Sequence, residues 1–515
     1  MGKGTFIGTI AAVTVSVSIL FAFFGTGAGV AGLPRLKADP DPVRGGRIVD
    51  SKGREVILRG VNVNSLGEYW QGTTKSSTLP LDRRDPARMA RIGWNMVRLI
   101  VSWSRVEPEP GRIDLEYLDR VKRWVGLMEE EGIYVILDFH QDAWGPTLAA
   151  PSDQSCITPA QPAFGWDGAP GWATIDDGLP RCFTLNREVN PAVMAAWTNF
   201  FNDTEAPDGV GIQTHYVRML GRVAKIFARD TAVAGIDIMN EPNAFGPAQT
   251  AQMSHFYERS LKSIRKGEKA GGGFRHLVLF EPSVLWSLTG SGPPDAFEFD
   301  DRVVYSPHLY GGSIGSTGPP SRESFETAKS EAAGFGGAPV LTGEWGGDPL
   351  RATGKGDDYF SQHLNLQDEF LIGSALWTWK QSCGDPHAAT HDPGTAPPLP
   401  PWSVYRMDCE GSANRIVGQH AKLVRSLRRP FVRRAPGRIT SVRYYPEKRL
   451  LFASGNGARR SDGPLELFFP TDGGNGGQIN FRNLGQPLFR SDYKRSGIIF
   501  MPARRGSWKF WARVH

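Results

Sequence analysis

Short β-branched runs alternate with longer amphipathic stretches through most of the chain. The runs at 56–63, 96–101, 134–139, 233–239, 276–280, 303–306, 340–342 and 373–377 have the length and apolar character of buried strands. Between them, 115–131 carries Leu118, Val121, Val125 and Met128 at helical spacing, and 213–228, 253–269, 322–333, 357–371 and 416–427 repeat the pattern. Eight strands with intervening helices and no long structureless break predict an α/β fold, a (β/α)8 TIM barrel. A hairpin of 47–49 and 55–58 is expected to close the barrel's bottom. After Pro430 the helical period disappears. Runs at 439–445, 450–453, 465–469, 498–501 and 508–514, separated by Gly- and Asn-rich turns, predict a small C-terminal β-sandwich.

The N-terminal segment follows neither pattern. No charge occurs between Lys3 and Arg35, Phe6 to Phe24 is almost wholly apolar, and Gly29-Val30-Ala31 is a small-x-small sequence of the kind a signal peptidase cuts. The expected organisation is an export signal over 1–31 (or a retained membrane anchor), a catalytic barrel over 32–430 and a sandwich over 431–515. The body of the protein is then secreted or otherwise extracytoplasmic. Export makes disulfides the default state of the four cysteines. Four allow three connectivities. Each of the pairs Cys156/Cys182 and Cys383/Cys409 brackets a Gly/Pro-rich stretch, which favours two local staples. A zinc site would need closer Cys or His spacing, so no metal is expected.

The 515 residues are 40% hydrophobic and 22% charged, which excludes disordered, collagenous and coiled-coil classes. Net charge is +6, but it is unevenly placed: 431–515 holds 16 Lys and Arg against 5 acids, net +11, and the remainder is net −5. This basic region with Trp508 and Trp511 is either a solvated face or a dock for an anionic membrane or micelle surface. Nucleic acid is disfavoured, because no nucleic-acid motif accompanies the charge.

Active sites of such barrels lie at the C-terminal ends of the strands, and here those ends are polar. Arg98 lies on the second strand; His140, Gln141 and Asp142 follow the third; Asn240-Glu241 ends the fourth and Glu281 the fifth; His308 and Tyr310 follow the sixth; Glu344 ends the seventh and Trp377 the eighth. Core packing alone would place Val, Ile or Leu there. Two carboxylates on facing strand ends are what glycoside hydrolysis requires. Glu241 is expected to be the acid/base, its pKa raised by the neighbouring negative charge, and Glu344 the nucleophile, kept ionised by Arg98 and Tyr310. Glu281 suits a structural ion pair as well as a substrate contact. Trp144, Trp166, Trp286 and Trp402 are expected to rim the mouth.

Together these residues resemble glycoside hydrolase family 5, over roughly Gly46 to Arg429. Arg98, His140, Asn240, Glu241, His308, Tyr310, Glu344 and Trp377 match that family's pattern in order and in strand position. Asp138-Phe139-His140-Gln141-Asp142, Ala169-Pro170-Gly171-Trp172-Ala173-Thr174 and Met239-Asn240-Glu241-Pro242 are similar to its endoglycoceramidase-like branch, which cleaves between a sugar and a lipid aglycone. The resemblance implies that Asn240 holds the sugar 2-hydroxyl, that Tyr310 bonds the nucleophile, that Trp377 floors the cleavage subsite, and that Asp142 and Trp172 contact the sugar there. One departure is Glu68, at a position where members acting on glucosyl-linked lipids tend to carry Lys. The activity implied is an exported retaining β-glycosidase acting on a glycolipid without a cofactor or an obligate protein partner. Its alternatives are an endo-β-glucanase or mannanase of the same family, and a catalytically inactive barrel that binds glycans or lipid surfaces.

Overall fold

The computed structural model describes residues 32–184, 186–289, 292–314, 317–389, 401–470, 477–490 and 497–514. The expected export signal over 1–31 lies outside them. Eight parallel strands form the central sheet: β1 (Arg59–Val63), β2 (Met96–Ser102), β3 (Tyr134–His140), β4 (Val233–Asp237), β5 (Leu277–Phe280), β6 (Val303–Tyr305), β7 (Leu341–Trp345) and β8 (Gly373–Leu376). They pair in the order β6-β5-β4-β3-β2-β1-β8-β7, and a parallel bridge from Tyr305 to Val340 closes the ring. Helices cover the outside, so the strands are buried on both faces and read as continuous apolar runs rather than alternating ones. The helix Leu115–Glu130 shows how local sequence and packing agree. Asp114 caps it by accepting from the Tyr117 amide, and the residues it buries include Leu118, Val121, Val125 and Met128.

Several elements differ from the sequence reading. The apolar run 56–63 is divided at Ile57-Leu58: Arg54–Val56 joins a different sheet and only Arg59–Val63 is the barrel strand. The stretch 416–427 begins as a strand, Arg415–Gln419, paired with Tyr405–Asp408, and turns helical only at Ala421–Leu427. Ile416 and Val417 are solvent-exposed there, so their apolar character does not mark a helix face. The helices Asp85–Ile92 and Pro191–Phe201 were not foreseen.

The sheet that follows residue 430 also takes in strands from before the barrel. Leu36–Asp39, Arg47–Asp50 and Arg54–Val56 form one seven-stranded sheet with Phe431–Pro436, Leu465–Phe469, Gly497–Met501 and Leu488–Arg490. The second layer is a four-stranded sheet of Arg438–Tyr445, Leu450–Ala458, Gly506–Val514 and Gly477–Arg482. The sandwich is therefore built from both ends of the described chain. Buried charges join the two ends: Arg54 binds Asp50 at 2.8 Å and Glu466 at 2.6 Å, and Arg434 binds the other oxygen of Glu466. The same N-terminal strands close the barrel's lower end, where Leu36, Ala38, Ile48 and Val56 pack against Met96, Tyr134, Leu277 and Leu279.

Trp508 is not a surface residue. It is 2% exposed, packs in the sandwich core with Leu451, Met501 and Phe510, and donates its Nε1 proton to the Pro436 carbonyl at 2.9 Å. Arg433 and Arg434 are buried as well, so part of the region's basic excess is internal. Cys156 is bonded to Cys182 and Cys383 to Cys409, each across 26 residues.

Candidate active site

One guanidinium organises the top of the barrel. Arg98, fully buried on β2, donates from Nε to Asp237 at 2.9 Å, from Nη1 to Glu344 at 2.9 Å, and from Nη2 to Asn240 at 2.9 Å and Glu281 at 2.7 Å. Asp138 Oδ1 lies 3.0 Å from Nη2. A planar donor fork inside a barrel ties the ends of several strands to one point, and Arg is the side chain with that geometry. Burial, followed by the charge of Glu281, pushes Asp237 well above the usual carboxylate range despite Arg98.

Glu241 follows β4 in a backbone conformation that L-residues rarely adopt, with φ of 37°. Its neighbours hold it there: its amide donates to Glu281 Oε2 at 2.8 Å, and its carbonyl accepts from Gln141 Nε2 at 2.9 Å. The side chain is aimed at the loops after β5 and β6, where Oε1 accepts from Ser287 at 2.7 Å and meets His308 Nδ1 at 2.9 Å. Across from it, Glu344 on β7 accepts from the Tyr310 hydroxyl at 2.8 Å. His308 Nδ1 is 3.7 Å from the same Glu344 oxygen, and its Nε2 is 3.2 Å from Glu281. Glu281 is thus a structural partner of Arg98, His308 and the Glu241 backbone.

The protonation pattern is the reverse of the one expected. Burial raises Glu241, but the hydrogen bond and charge of His308 outweigh it, and the net shift is downward. Burial raises Glu344 more than His308, Arg98 and His140 lower it, and its net shift is upward. The reason is His308: burial opposes its charge, but Glu281, Glu344 and Glu241 surround it, and its pKa is raised well above the ordinary imidazole value. The raised imidazole and the lowered carboxylate bias the shared proton toward His308.

His140, at the end of β3, binds Asp138 through Nδ1 at 2.7 Å and stacks on Trp377, with ring centroids 5.4 Å apart and 18° between planes. Asp142 is buried between two cations, Arg187 and His387, the latter at 2.9 Å. Burial raises Asp142, yet these partners hold it well below the usual range. Burial lowers His387, and Asp142 and Asp385 together push it up to about 10. Sequence reasoning missed Arg187 and His387. They arrive on long loops after β3 and β8.

These groups line a cavity of about 370 Å³. On the β3 and β8 flank it presents His140, Asp142, Asn186, Arg187 and His387 over Trp377; on the β5 and β6 flank, Val284, Ser287, Ser313 and Ile314; Glu241, Glu344 and Tyr310 lie on its wall. Arg98, Asn240 and His308 are buried around it and do not line it. Asn240 gives its amide to Gln141 O at 3.0 Å and its oxygen to Arg98.

Trp172 is not brought to the cavity. It packs edge-on against Trp103 and His215, with centroids 5.3 and 4.9 Å away, and donates to the Glu107 carbonyl at 3.0 Å. Glu68 does not line the cavity either; it is half-exposed, 3.8 Å from Arg105. Of the tryptophans expected at the rim, Trp144 and Trp286 are buried, Trp166 packs under the Arg187 guanidinium at 3.9 Å, and Trp402 lines the cavity. Among the described residues, His140, Asp142 and Asp167 are close enough to share a metal ion. Asp142 is already taken by two cations, and His140 is raised well above the ordinary imidazole value by Asp138, although burial opposes that charge. The donor set does not suit a further cation.

Residues 49–382 match the family model for cellulase (glycosyl hydrolase family 5). The chain belongs to glycosyl hydrolase family 5. Among solved structures, it is similar to an endogalactoceramidase, with 36% identity, a TM-score of 0.80, and coverage of 93% of this chain and 99% of that one. It is also similar to endo-glycoceramidase II from Rhodococcus sp. as a lactosyl-enzyme intermediate, with 26% identity, a TM-score of 0.67, and coverage of 90% and 99%. Among curated proteins, endoglycoceramidase I of Rhodococcus hoagii (strain 103S) is 28% identical over 286 residues, 52% of each chain. The match thus spans about half the length of that relative.

Proposed function

We propose that the protein is an exported retaining β-glycosidase that releases a glycan or sugar from a lipid aglycone of the ceramide type. The observation that carries this reading is the pairing of Glu241 and Glu344 across a cavity with charged polar groups on one flank and Val284 and Ile314 on the other. The sugar sits over Trp377 beside His140 and Asp142, and the lipid leaves past the β5 and β6 loops. Retention calls for carboxyl groups about 5–5.5 Å apart, against about 6.5–9.5 Å for inversion. One imidazole nitrogen, 2.9 Å from Glu241 and 3.7 Å from Glu344, favours the shorter spacing.

In this scheme a Glu344 oxygen attacks the anomeric carbon as the glycosidic oxygen departs, and Glu241 protonates that oxygen. The proton comes from the Glu241–His308 pair, in which the imidazolium–carboxylate form and the neutral form differ only in which side of the 2.9 Å hydrogen bond holds it. Arg98 and Tyr310 orient Glu344 and accept the charge it regains when the glycosyl ester is hydrolysed. Glu241 then takes a proton from the attacking water. The lactosyl-enzyme intermediate of the Rhodococcus relative supports a covalent glycosyl enzyme. The two disulfides and the apolar N-terminal stretch support export. Among the described residues no helix is long and apolar enough to cross a membrane.

The test is a panel of galactosyl-, glucosyl- and oligosaccharyl-ceramides, steryl glucosides and cello-oligosaccharides, with released sugar and lipid both measured. Preference for a ceramide glycoside is the expected result. Cleavage of cellotetraose as efficient as that of any glycolipid would transfer the function to polysaccharide hydrolysis, and no turnover of any substrate would favour a binding barrel.

A further inference from the structure

The strand register of the four-stranded sheet fixes which side chains face outward. Arg443, Phe452, Trp511 and Asn480 are consecutive cross-strand partners and form one row across all four strands. The alternate positions on these strands, including Val442, Leu451, Ala453, Phe510 and Ala512, fill the sandwich core. Phe452 is 42% exposed, although it is a large apolar residue, and Trp511 beside it is partly exposed. Tyr445 adds a third ring, 5.8 Å from Phe452 and nearly perpendicular to it.

Cations flank this aromatic row. Lys509 and Arg482 are partners in the adjacent outward row, and Arg513 lies in the row on the other side. All three are exposed, and no carboxylate pairs with them among the described residues. Arg443 approaches Glu369, which already binds Arg322. The region's described acids leave these three cations without a carboxylate partner. Glu466 is buried in the other sheet, Asp462 binds the Arg459 amide, and Glu447 lies in the turn after Tyr445; Asp472 and Asp492 fall outside the described residues.

We propose that this outer face, with Phe452 and Trp511 at its centre, docks the protein onto an anionic lipid surface. Exposed aromatic rings enter the interfacial region of a bilayer, and the exposed Lys and Arg, which no described carboxylate pairs, meet the phosphate and carboxylate headgroups around them. The charge complementarity selects anionic lipid over a neutral glycan, which would use the rings but not the cations. The inference stands on a different part of the molecule from the glycolipid reading and does not rest on it.

The experiment is co-sedimentation of the full chain with vesicles of phosphatidylcholine alone and of an equal mixture of phosphatidylcholine and phosphatidylserine. Each cation near such a surface contributes about fivefold to partitioning. Lys509→Gln/Arg513→Gln is expected to lower partitioning onto the mixed vesicles about 25-fold, and Phe452→Ser/Trp511→Ser to lower it as well. High salt should abolish what the cations add. Hydrolysis of a soluble aryl β-glycoside by each variant shows that the barrel remains folded, and it should be unchanged. Equal binding to both vesicle types, binding to insoluble cellulose in place of vesicles, or undiminished partitioning of both variants would overturn the proposal. Vesicle binding without hydrolysis of any glycolipid would refute the function proposed above and leave this surface standing.

Discussion

Nδ1 of His308 lies 2.9 Å from Oε1 of Glu241, and in the proposed mechanism this contact sets where the proton for the leaving group is stored. His308 is raised well above the ordinary imidazole value and Glu241 is lowered, so the pair keeps one proton over a wide pH range. The alkaline limb of kcat/KM then reports loss of that last proton, at the raised pKa of the imidazole. In His308→Asn, burial and the charge of Asp142 act on Glu241 against the Ser287 hydrogen bond without the imidazole, so Glu241 titrates alone, above its present lowered pKa but below the pair. The alkaline limb should move toward acid. An unmoved limb would show that Glu241 does not draw its proton from His308. Linkage gives the matching stability signs. The raised His308 contributes stability at low pH that is lost as pH rises through its folded pKa, and the lowered Glu241 contributes stability that is lost as pH falls through its own.

The two carboxylates should respond differently to truncation. If Glu344 attacks as proposed, Glu344→Gln removes the attacking atom and should abolish turnover of every substrate. Glu241→Ala should lose roughly 10²–10⁴-fold on a glycolipid, whose alkoxide leaving group needs a proton. It should lose far less on an activated aryl glycoside, where a burst of phenol marks the accumulating intermediate. Azide should rescue it and yield a β-glycosyl azide. An α-configured product would exchange retention for inversion and remove Glu344 from the role of nucleophile.

Much of this site was legible in the sequence because it lies on strand ends. A residue such as Glu344 or His140 is placed by its own strand, and a short apolar run locates that strand without further information. Arg187 and His387 were not legible, because their positions depend on how long loops fold back over the mouth. Trp172 was misplaced for a related reason: its motif is local, but the direction of its ring is set by Trp103 and His215 from other elements. Trp508 and Trp511 show a limit of strand patterning. Alternation separates the two faces, but which face is inward depends on the other sheet. Three strands of that other sheet come from residues before Pro430, and Arg47 reaches the Gly437 carbonyl across 390 positions. The direction of the Glu241 shift was misjudged because its dominant partner, His308, stands 67 residues away.

Asp167 predicts a stability effect beneath the site. It is fully buried, neither carboxylate oxygen has a hydrogen-bond partner, and burial with the charge of Asp142 pushes it up to about 8 despite His140. Its unfolded value is about 3.9, so between these values the folded state holds more protons than the unfolded one, and stability falls as pH rises. Asp167→Asn should flatten that fall. It should match the wild type near pH 4 and exceed it at pH 8 by on the order of a few kcal/mol, read from denaturant melts. Equal pH slopes in the two proteins would show that Asp167 is ionised and satisfied in the folded state.

The two disulfides close loops of equal length but should differ in consequence. With partners 26 positions apart, each contributes about 3 kcal/mol in the chain-entropy description. Cys383 is buried between Gln381 and His387, both of which line the cavity, and its amide is held by Asn414 at 3.0 Å. Cys156 is partnered instead with Cys182, next to a short strand pair of Gln161–Pro162 and Cys182–Phe183. Cys383→Ser/Cys409→Ser should therefore raise KM several-fold as well as lower the melting temperature, because His387 loses the anchor that aims it at Asp142. Cys156→Ser/Cys182→Ser should lower the melting temperature by a similar amount with a smaller change in KM. A reversed order of the KM effects would mean that the loop carrying Arg187, rather than the one carrying His387, sets the shape of the charged flank of the cavity.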